Sequence, residues 1–327
     1  MEAVFSGFAV IWLIIVVGFV IGKLGLLSPD SRVILSRVAF FVASPCLLFT
    51  TVSQASFREV IGPQMGVAAL GAFCTLILFM LISKLVFKKR TASERLMGGL
   101  SASLVNSANL GFPIAAYVLG DVALAAPVIM FQLALYTPLY VASLDQLTRN
   151  QDTSGAAGVE SPPKVRPNAK TSTLRSLGQS AVNPMVVGAL LGLLFSWQQW
   201  RLPGPVQESV ELMAGASIPL MLLAFGLSLV GTRPLDRTSG RRGEVLMASC
   251  FKLILHPVLA YLFASFVFGL ESHQLLAAVV MGGLPSAQNV LVTAIRYGTG
   301  EIVARDTVLT TTIVAIPSMI LIAVLLA

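Results

Sequence analysis

Ten stretches without Asp, Glu, Lys or Arg follow one another along this chain: residues 3–22, 38–57, 60–83, 96–120, 122–144, 176–200, 212–232, 253–270, 272–295 and 307–327. Each runs to about 18–25 residues, enough to cross ~30 Å of hydrocarbon as a helix rising ~1.5 Å per residue. The pattern predicts an all-α polytopic membrane protein with ten transmembrane helices. The boundary between the second and third stretches rests on Arg58 and Glu59 alone. One connection is long and polar. Residues 147–174, rich in Ser, Pro, Gly and Lys, read as a cytoplasmic linker between a first half, 1–146, and a second, 175–327. Each half then holds five spans. An odd number forces the second half to be inverted relative to the first, which is the inverted-repeat plan of secondary transporters.

Prolines inside the apolar stretches support the duplication. Pro29 and Pro203 open the second and seventh spans, and Pro45 and Pro219 recur inside them at the same offset. Pro113 has its counterpart in Pro285, and Pro138 in Pro317. The run YVLGDVALAAPV from Tyr117 matches YGTGEIVARDTV from Tyr297 in its Tyr, its Gly and its acid. Proline breaks a helix, and a broken helix at membrane depth survives where it is buried in protein or lines a cavity.

Composition agrees: 56% of the chain is hydrophobic and 11% charged, with mean hydropathy +0.85. The net charge of +7 is a matter of topology rather than of nucleic acid. With the N-terminus outside, all of the 22 Lys and Arg except Arg58 and Arg201 fall on the cytoplasmic side. Both termini are then expected outside the cell membrane, with the basic side drawn to anionic lipid. Glu2 and the length of the first stretch argue against a cleaved signal. Cys46, Cys74 and Cys250 show no paired spacing and read as small buried hydrophobes.

The candidate chemistry gathers in spans four and nine, predicted to be broken and to cross. Span four holds Asn106, Ser107 and Asn109 near its centre with Gly111 and Pro113 just beyond; span nine holds Gly282, Gly283, Pro285, Ser286, Gln288 and Asn289. Gly and Pro loosen the helix ladder, and amides at midplane need partners. Two half-helix N-termini meeting there would make an anion site without a fixed charge. Such amide-rich spans also arise as simple helix–helix glue. Gln132 in span five is deep enough to line a cavity, while Ser44-Pro45 and Thr137-Pro138 read as kinks. In span eight, Lys252 and His256 stand four apart on one face. His256 is a candidate proton carrier or anion contact; the alternative is a neutral helix contact with Lys252 snorkelling to the interface. His273 and the Trp197–Trp200 pair read as interfacial. No span carries a central Asp or Glu, which weakens a cation/proton antiporter, and no hydrolase, zinc-protease or phosphate-loop motif appears.

These residues carry a resemblance. The run N-S-A-N-L-G-F-P from Asn106 and the run G-G-L-P-S-A-Q-N from Gly282, followed by R-Y-G at Arg296, resemble the auxin efflux carrier family over essentially the whole chain. The short central loop is closer to the bacterial members than to the plant PIN carriers. The resemblance implies a fold like that of sodium/proton antiporters and bile-acid symporters, with a scaffold domain facing a transport domain that moves as an elevator. It implies organic anions as substrates, including dicarboxylates such as malate or malonate, with Pro113 and Pro285 as crossover prolines and Asn106, Asn109, Gln288 and Asn289 facing the substrate.

The expectation is a secondary carrier of small organic carboxylates, and not an enzyme, with no cofactor, coupling to protons or sodium left open, and a homodimer among the candidate assemblies. A sodium-coupled symporter of the bile-acid type is the first alternative; a membrane enzyme using His256 and Lys252 is the second.

Overall fold

The computed structural model describes residues 2–28, 30–55, 61–154, 183–231 and 240–326. Pro29, Arg58, Glu59, the linker from residue 155 onward and residues 176–182 lie outside them. Among the described residues the chain is all-helical, with one isolated antiparallel bridge between Val105 and Ser286 and no strand. Six stretches are long and apolar enough to span a membrane: Ser6–Lys23, Ser31–Gln54, Pro63–Val86, Val122–Thr148, Gly204–Ser228 and Arg242–Val267. Glu301–Leu326 makes a seventh if its two parts, bent by 48°, count as one span. Pro184–Gln198 and Ser272–Gly282 are shorter apolar helices. Leu13, Phe266 and Leu325 turn outward, so the molecule wears an apolar exterior that only lipid suits. Cys250 is exposed on that exterior rather than buried.

The helices, in chain order, are α1 (Glu2–Lys23), α2 (Ser31–Val38), α3 (Ser44–Gln54), α4 (Pro63–Val86), α5 (Ala92–Ser103), α6 (Phe112–Tyr117), α7 (Ala126–Met130), α8 (Thr137–Ser154), α9 (Pro184–Gln198), α10 (Gly204–Ser228), α11 (Arg242–Cys250), α12 (His256–Leu262), α13 (Ser272–Gly282), α14 (Gln288–Tyr297) and α15 (Glu301–Leu326). Helix α8 runs eight residues into the stretch read as linker.

Several of these helices are joined by a widened π turn, and proline explains most of them. Ala39–Ala43 precedes Pro45, Ser107–Gly111 precedes Pro113, Phe131–Tyr136 precedes Pro138, and Phe251–Leu255 precedes Pro257. In each, the ring follows two residues after the wide turn. Proline offers no N–H and its ring collides with the carbonyl one turn back, and one extra residue in that turn moves the carbonyl aside. Pro219 and Pro317 instead lie within α-helix with no wide turn ahead of them, Pro317 at the 48° bend of α15. The pairs Pro45/Pro219 and Pro138/Pro317 therefore match in sequence position but not in local backbone.

The helices pack in two groups. In the first, α1 lies along α10, and α3 lies along α9 and α10. The fit is close because glycines face backbone: a Cβ on Gly226 would stand 2.2 Å from the Ile15 carbonyl oxygen, and one on Gly188 would stand 2.5 Å from that of Pro45. In the second group α4, α5 and α11–α15 pack on one another, with α7 and α8 against α4 and α5. One end of this group is tied by charge. Arg90 meets Glu244 at 2.6 Å, and Arg241 meets Glu94 at 2.6 Å and Glu244 at 3.1 Å. Thr91 and Glu94 form a capping box that starts α5.

Two outcomes follow from this packing. Gly226→Leu should force α1 from α10 and cost about 1–3 kcal/mol, read as a lower melting temperature in detergent; Gly215→Ala, on the same helix with open space around it, should not. Burial raises the Glu94 carboxyl, but the Thr91 N–H and the Arg241 guanidinium outweigh it, so its pKa is lowered overall. A carboxyl depressed in the folded state contributes stability above its unfolded value, about 4.3, and loses it as pH falls through the folded value. Melting followed from pH 6 to pH 3 should show that loss, and Arg241→Gln should shrink it.

Candidate functional site

Helix α5 stops at Ser103 and α13 stops at Gly282, both deep in the second group. The chain at Leu104–Val105 and that at Pro285–Ala287 leave the helical path and run past each other in opposite directions, and Asn106 turns the first back, with Ser107 N–H bonding the Val105 carbonyl at 2.8 Å. Asn106 N–H donates to the Pro285 carbonyl at 2.8 Å, and Ala287 N–H donates to the Leu104 carbonyl at 3.1 Å. Each break thus satisfies backbone groups of the other, as a low-dielectric surrounding demands.

Side chains lock the crossing. Gln132 accepts from Val105 N–H at 2.9 Å and donates to the Val105 carbonyl at 3.0 Å and to Ser107 Oγ. Ser286 N–H donates to Thr311 Oγ1 at 3.1 Å, while its hydroxyl donates to the Ser101 carbonyl. Ser103 bonds the Tyr136 hydroxyl at 2.7 Å, and Tyr136 stacks on Phe131 and meets the Phe73 edge. His273 Nε2 reaches the Leu119 carbonyl at 2.8 Å, so this residue ties α13 to the segment just after α6.

A cleft of ≈ 430 Å³ opens against one side of the crossing. Asn106, Asn109, Gln132, Gln288 and Asn289 line it, together with Tyr140, Arg32 and Arg37. Asn106 is 2% exposed, and its Nδ2 has no hydrogen-bond partner. Helix α14 begins at this cleft behind Ala287, whose side chain cannot cap it; Val290 N–H bonds the Ala287 carbonyl at 3.1 Å, which leaves the Gln288 and Asn289 N–H groups ahead of it for an anion. On the other side lies a small cavity of ≈ 20 Å³, lined by His256, Ser103, Gln64 and Gly282 and sharing Val105 and Gln132 with the cleft.

A profile described as "Membrane transport protein" matches residues 3–323. The chain belongs to this family, that of the auxin efflux carriers. It is 27% identical over 290 residues, 87% of this chain and 84% of the other, to a protein of Rhizobium meliloti named "Putative malonate transporter". It is 24% identical to an uncharacterized transporter of Methanocaldococcus jannaschii over 93% of this chain and 92% of that one. The uncharacterized transporter YfdV of Escherichia coli K12 is also 24% identical, over 87% of this chain and 85% of its own. The protein is therefore a membrane transporter of this family.

Among the residues singled out from the sequence of this family member, the amides divide by role. Asn106, Asn109, Gln288 and Asn289 reach the cleft, and Gln288 is within 3.5 Å of Ser228 Oγ on α10. Gln132 forms part of the wall, but both its N–H donors are spent on Val105 and Ser107. Gly111, Pro113, Pro285 and Ser286 do not line the cleft. Gly111 and Pro113 are buried behind it, where a Cβ on Gly111 would meet Met281, and Pro285 and Ser286 serve the crossing through backbone and hydroxyl bonds.

Lys252 and His256 stand away from the cleft. Lys252 is wholly buried rather than snorkelling: its Nζ lies 2.6 Å from His256 Nδ1 and 3.3 Å from the Gly282 carbonyl. The halted helix α13 leaves that carbonyl without a helical partner, and the Lys252 amine supplies a donor to it. No group of three or more metal-ligating side chains occurs among the described residues.

Arg32 and Arg37 were counted in the sequence only as basic charge. Spacing gave no signal for the pair: five residues apart, they lie about 140° round the helix, yet both line the cleft with Ser36 and Phe40.

Gln132→Leu should orphan the Val105 N–H at about 1–3 kcal/mol, while the Val105 carbonyl keeps its 2.8 Å bond from Ser107 N–H, and so lower the melting temperature by several degrees. Gln132→Glu should lose only the donated bonds and fall between Leu and the natural residue in the same detergent melts.

Proposed function

We propose that this protein is a secondary carrier of small organic carboxylate anions, working by alternating access. One observation supports it above the others: the buried, unpartnered Asn106 amide in the cleft where two broken helices cross. An unpaired buried donor costs roughly 1–3 kcal/mol, which an incoming carboxylate oxygen removes. Asn109, Gln288, Asn289 and the N–H groups that open α14 add neutral donors at the crossing, so the anion is held and can leave.

In this reading the chain has ten spans in two inverted halves. The interrupted segments at Ser103 and Gly282 and the turns Gly120-Asp121 and Gly300-Glu301 beyond them are the matching parts. The group built on α1, α3, α9 and α10 is the scaffold, and the group holding the crossing slides against it as an elevator. Both termini face outward from the cell membrane, so the cleft, with Arg32 and Arg37, opens inward, and the basic inner face concentrates anions before export. Protons or sodium are the candidate coupling ions, with His256 the candidate for the former.

The test is uptake and counterflow in proteoliposomes over mono- and dicarboxylates, with pH and sodium gradients set independently. Asn106→Leu should lower the initial rate by about ten-fold or more while leaving the detergent elution profile unchanged. A protein that gives no saturable carboxylate flux under any gradient would overturn the reading.

A further inference from the structure

Two bases are enclosed together on the cavity side of the crossing. Lys252 is 0% exposed and His256 3%, and Lys252 Nζ lies 2.6 Å from His256 Nδ1. An ammonium and an imidazolium have only donors to offer each other, so this bond requires one of the two nitrogens to be bare. The pair thus has room for one mobile proton. Nζ is also 3.3 Å from the Gly282 carbonyl, where α13 halts and the chain turns into the crossing. With Nδ1 taken by Lys252, Nε2 is the ring nitrogen left. It faces α4, where a Cβ on Gly71 would stand 3.2 Å from it and where Ala68 and Ala72 line the same cavity as His256. At ≈ 20 Å³ that cavity has space for about one water.

No carboxylate pairs with either base among the described residues. The charged side chains on the surrounding helices lie about 10 Å or more along them from the points of contact. The first met on each are Lys84 on α4 counted from Gly71, Arg95 on α5 from Ala102, Glu244 on α11 from Lys252, His273 on α13 from Gly282, and Asp306 on α15 from Ser318. The Cys74 thiol, one turn from Gly71, stands nearer, while Cys250 and Tyr261 turn outward.

We infer that Lys252 and His256 form the binding site of the coupling proton, loaded from the cavity through His256 Nε2 and held at Lys252 Nζ. The inference rests on the carrier reading and deepens it. In the empty pair the imidazole carries its proton on Nδ1 and donates it to the lone pair of Lys252, which leaves Nε2 bare. A hydronium in the cavity gives its proton to Nε2 and becomes water, while the Nδ1–H bond breaks toward Nζ. The site ends with Nε2–H, a bare Nδ1 and an ammonium. One proton and one charge have been gained, and the imidazole is neutral before and after. The new charge rests against the Gly282 carbonyl at the C-terminal end of α13, where a cation is favoured. Loading therefore tightens the hold on the break that shapes the crossing, and unloading relaxes it. The cavity and the cleft lie on opposite sides of the crossing, so proton and carboxylate do not share an entrance.

The chain has two histidines, so His273→Gln leaves His256 as the sole imidazole. Nuclear magnetic resonance of isotope-labelled histidine in that protein, in bilayers, reads the tautomer directly. Lowering the pH should convert the signal from an Nδ1–H to an Nε2–H imidazole without a doubly protonated stage, and Lys252→Met should abolish the conversion. In proteoliposomes, an imposed pH gradient should accelerate uptake of the labelled mono- and dicarboxylates by about ten-fold in the natural protein and by less than about two-fold in His256→Gln. Cys250→Ser, on the apolar exterior, should keep the full response. An imidazole that holds one tautomer from about pH 5 to about pH 9, or that becomes doubly protonated, overturns the inference, while saturable carboxylate flux leaves the carrier reading standing. A tautomer switch in a protein without carboxylate flux supports the proton site and overturns the carrier reading instead.

Discussion

Two backbone hydrogen bonds, Asn106 to Pro285 and Ala287 to Leu104, make the rest of this molecule workable. A helix that stops inside an apolar slab leaves several N–H and C=O groups bare, and each is expensive where water is absent. Two helices that stop beside each other and run past in opposite directions supply one another's partners. The open space then falls beside the crossing rather than through it, and amides such as Asn106 reach that space because the backbone behind them is already satisfied. Gln132, Ser286 and Lys252 all serve this arrangement: the first holds Val105, the second binds Ser101 and Thr311, and the third lies against the carbonyl at the end of α13.

Proline has two uses here, and only one of them concerns the site. Ahead of Pro45, Pro138 and Pro257 a single wide turn accommodates the ring and the helix resumes. Ahead of Pro113 the wide turn is preceded by a full stop in the helix at Ser103. The difference lies upstream. Asn106, Ser107 and Asn109 compete for backbone partners, and the facing segment with Gly283 and Pro285 has the same weakness.

Much of this was legible from the chain. Uninterrupted apolar runs announced the helices, and the coincidence of glycine, proline and amides picked out the two interrupted ones. Three things were not legible. A side chain's partner depends on which helix lies opposite, so nothing in the sequence distinguished Asn106, left unpaired, from Gln132, wholly committed. Lys252 looked like a residue free to reach an interface because its distance from the span end was visible and the Gly282 carbonyl was not. Arg32 and Arg37 looked like ordinary flanking charge because a side chain acquires meaning only from what it looks across at.

The cleft and the small cavity beyond it are separated at Val105 and Gln132, which line both. The Gln132 amide that helps wall the cleft is also the group that holds the Val105 backbone beside the cavity. One side chain thus shapes two spaces at once, so a substitution there alters both walls whichever space it was meant to change.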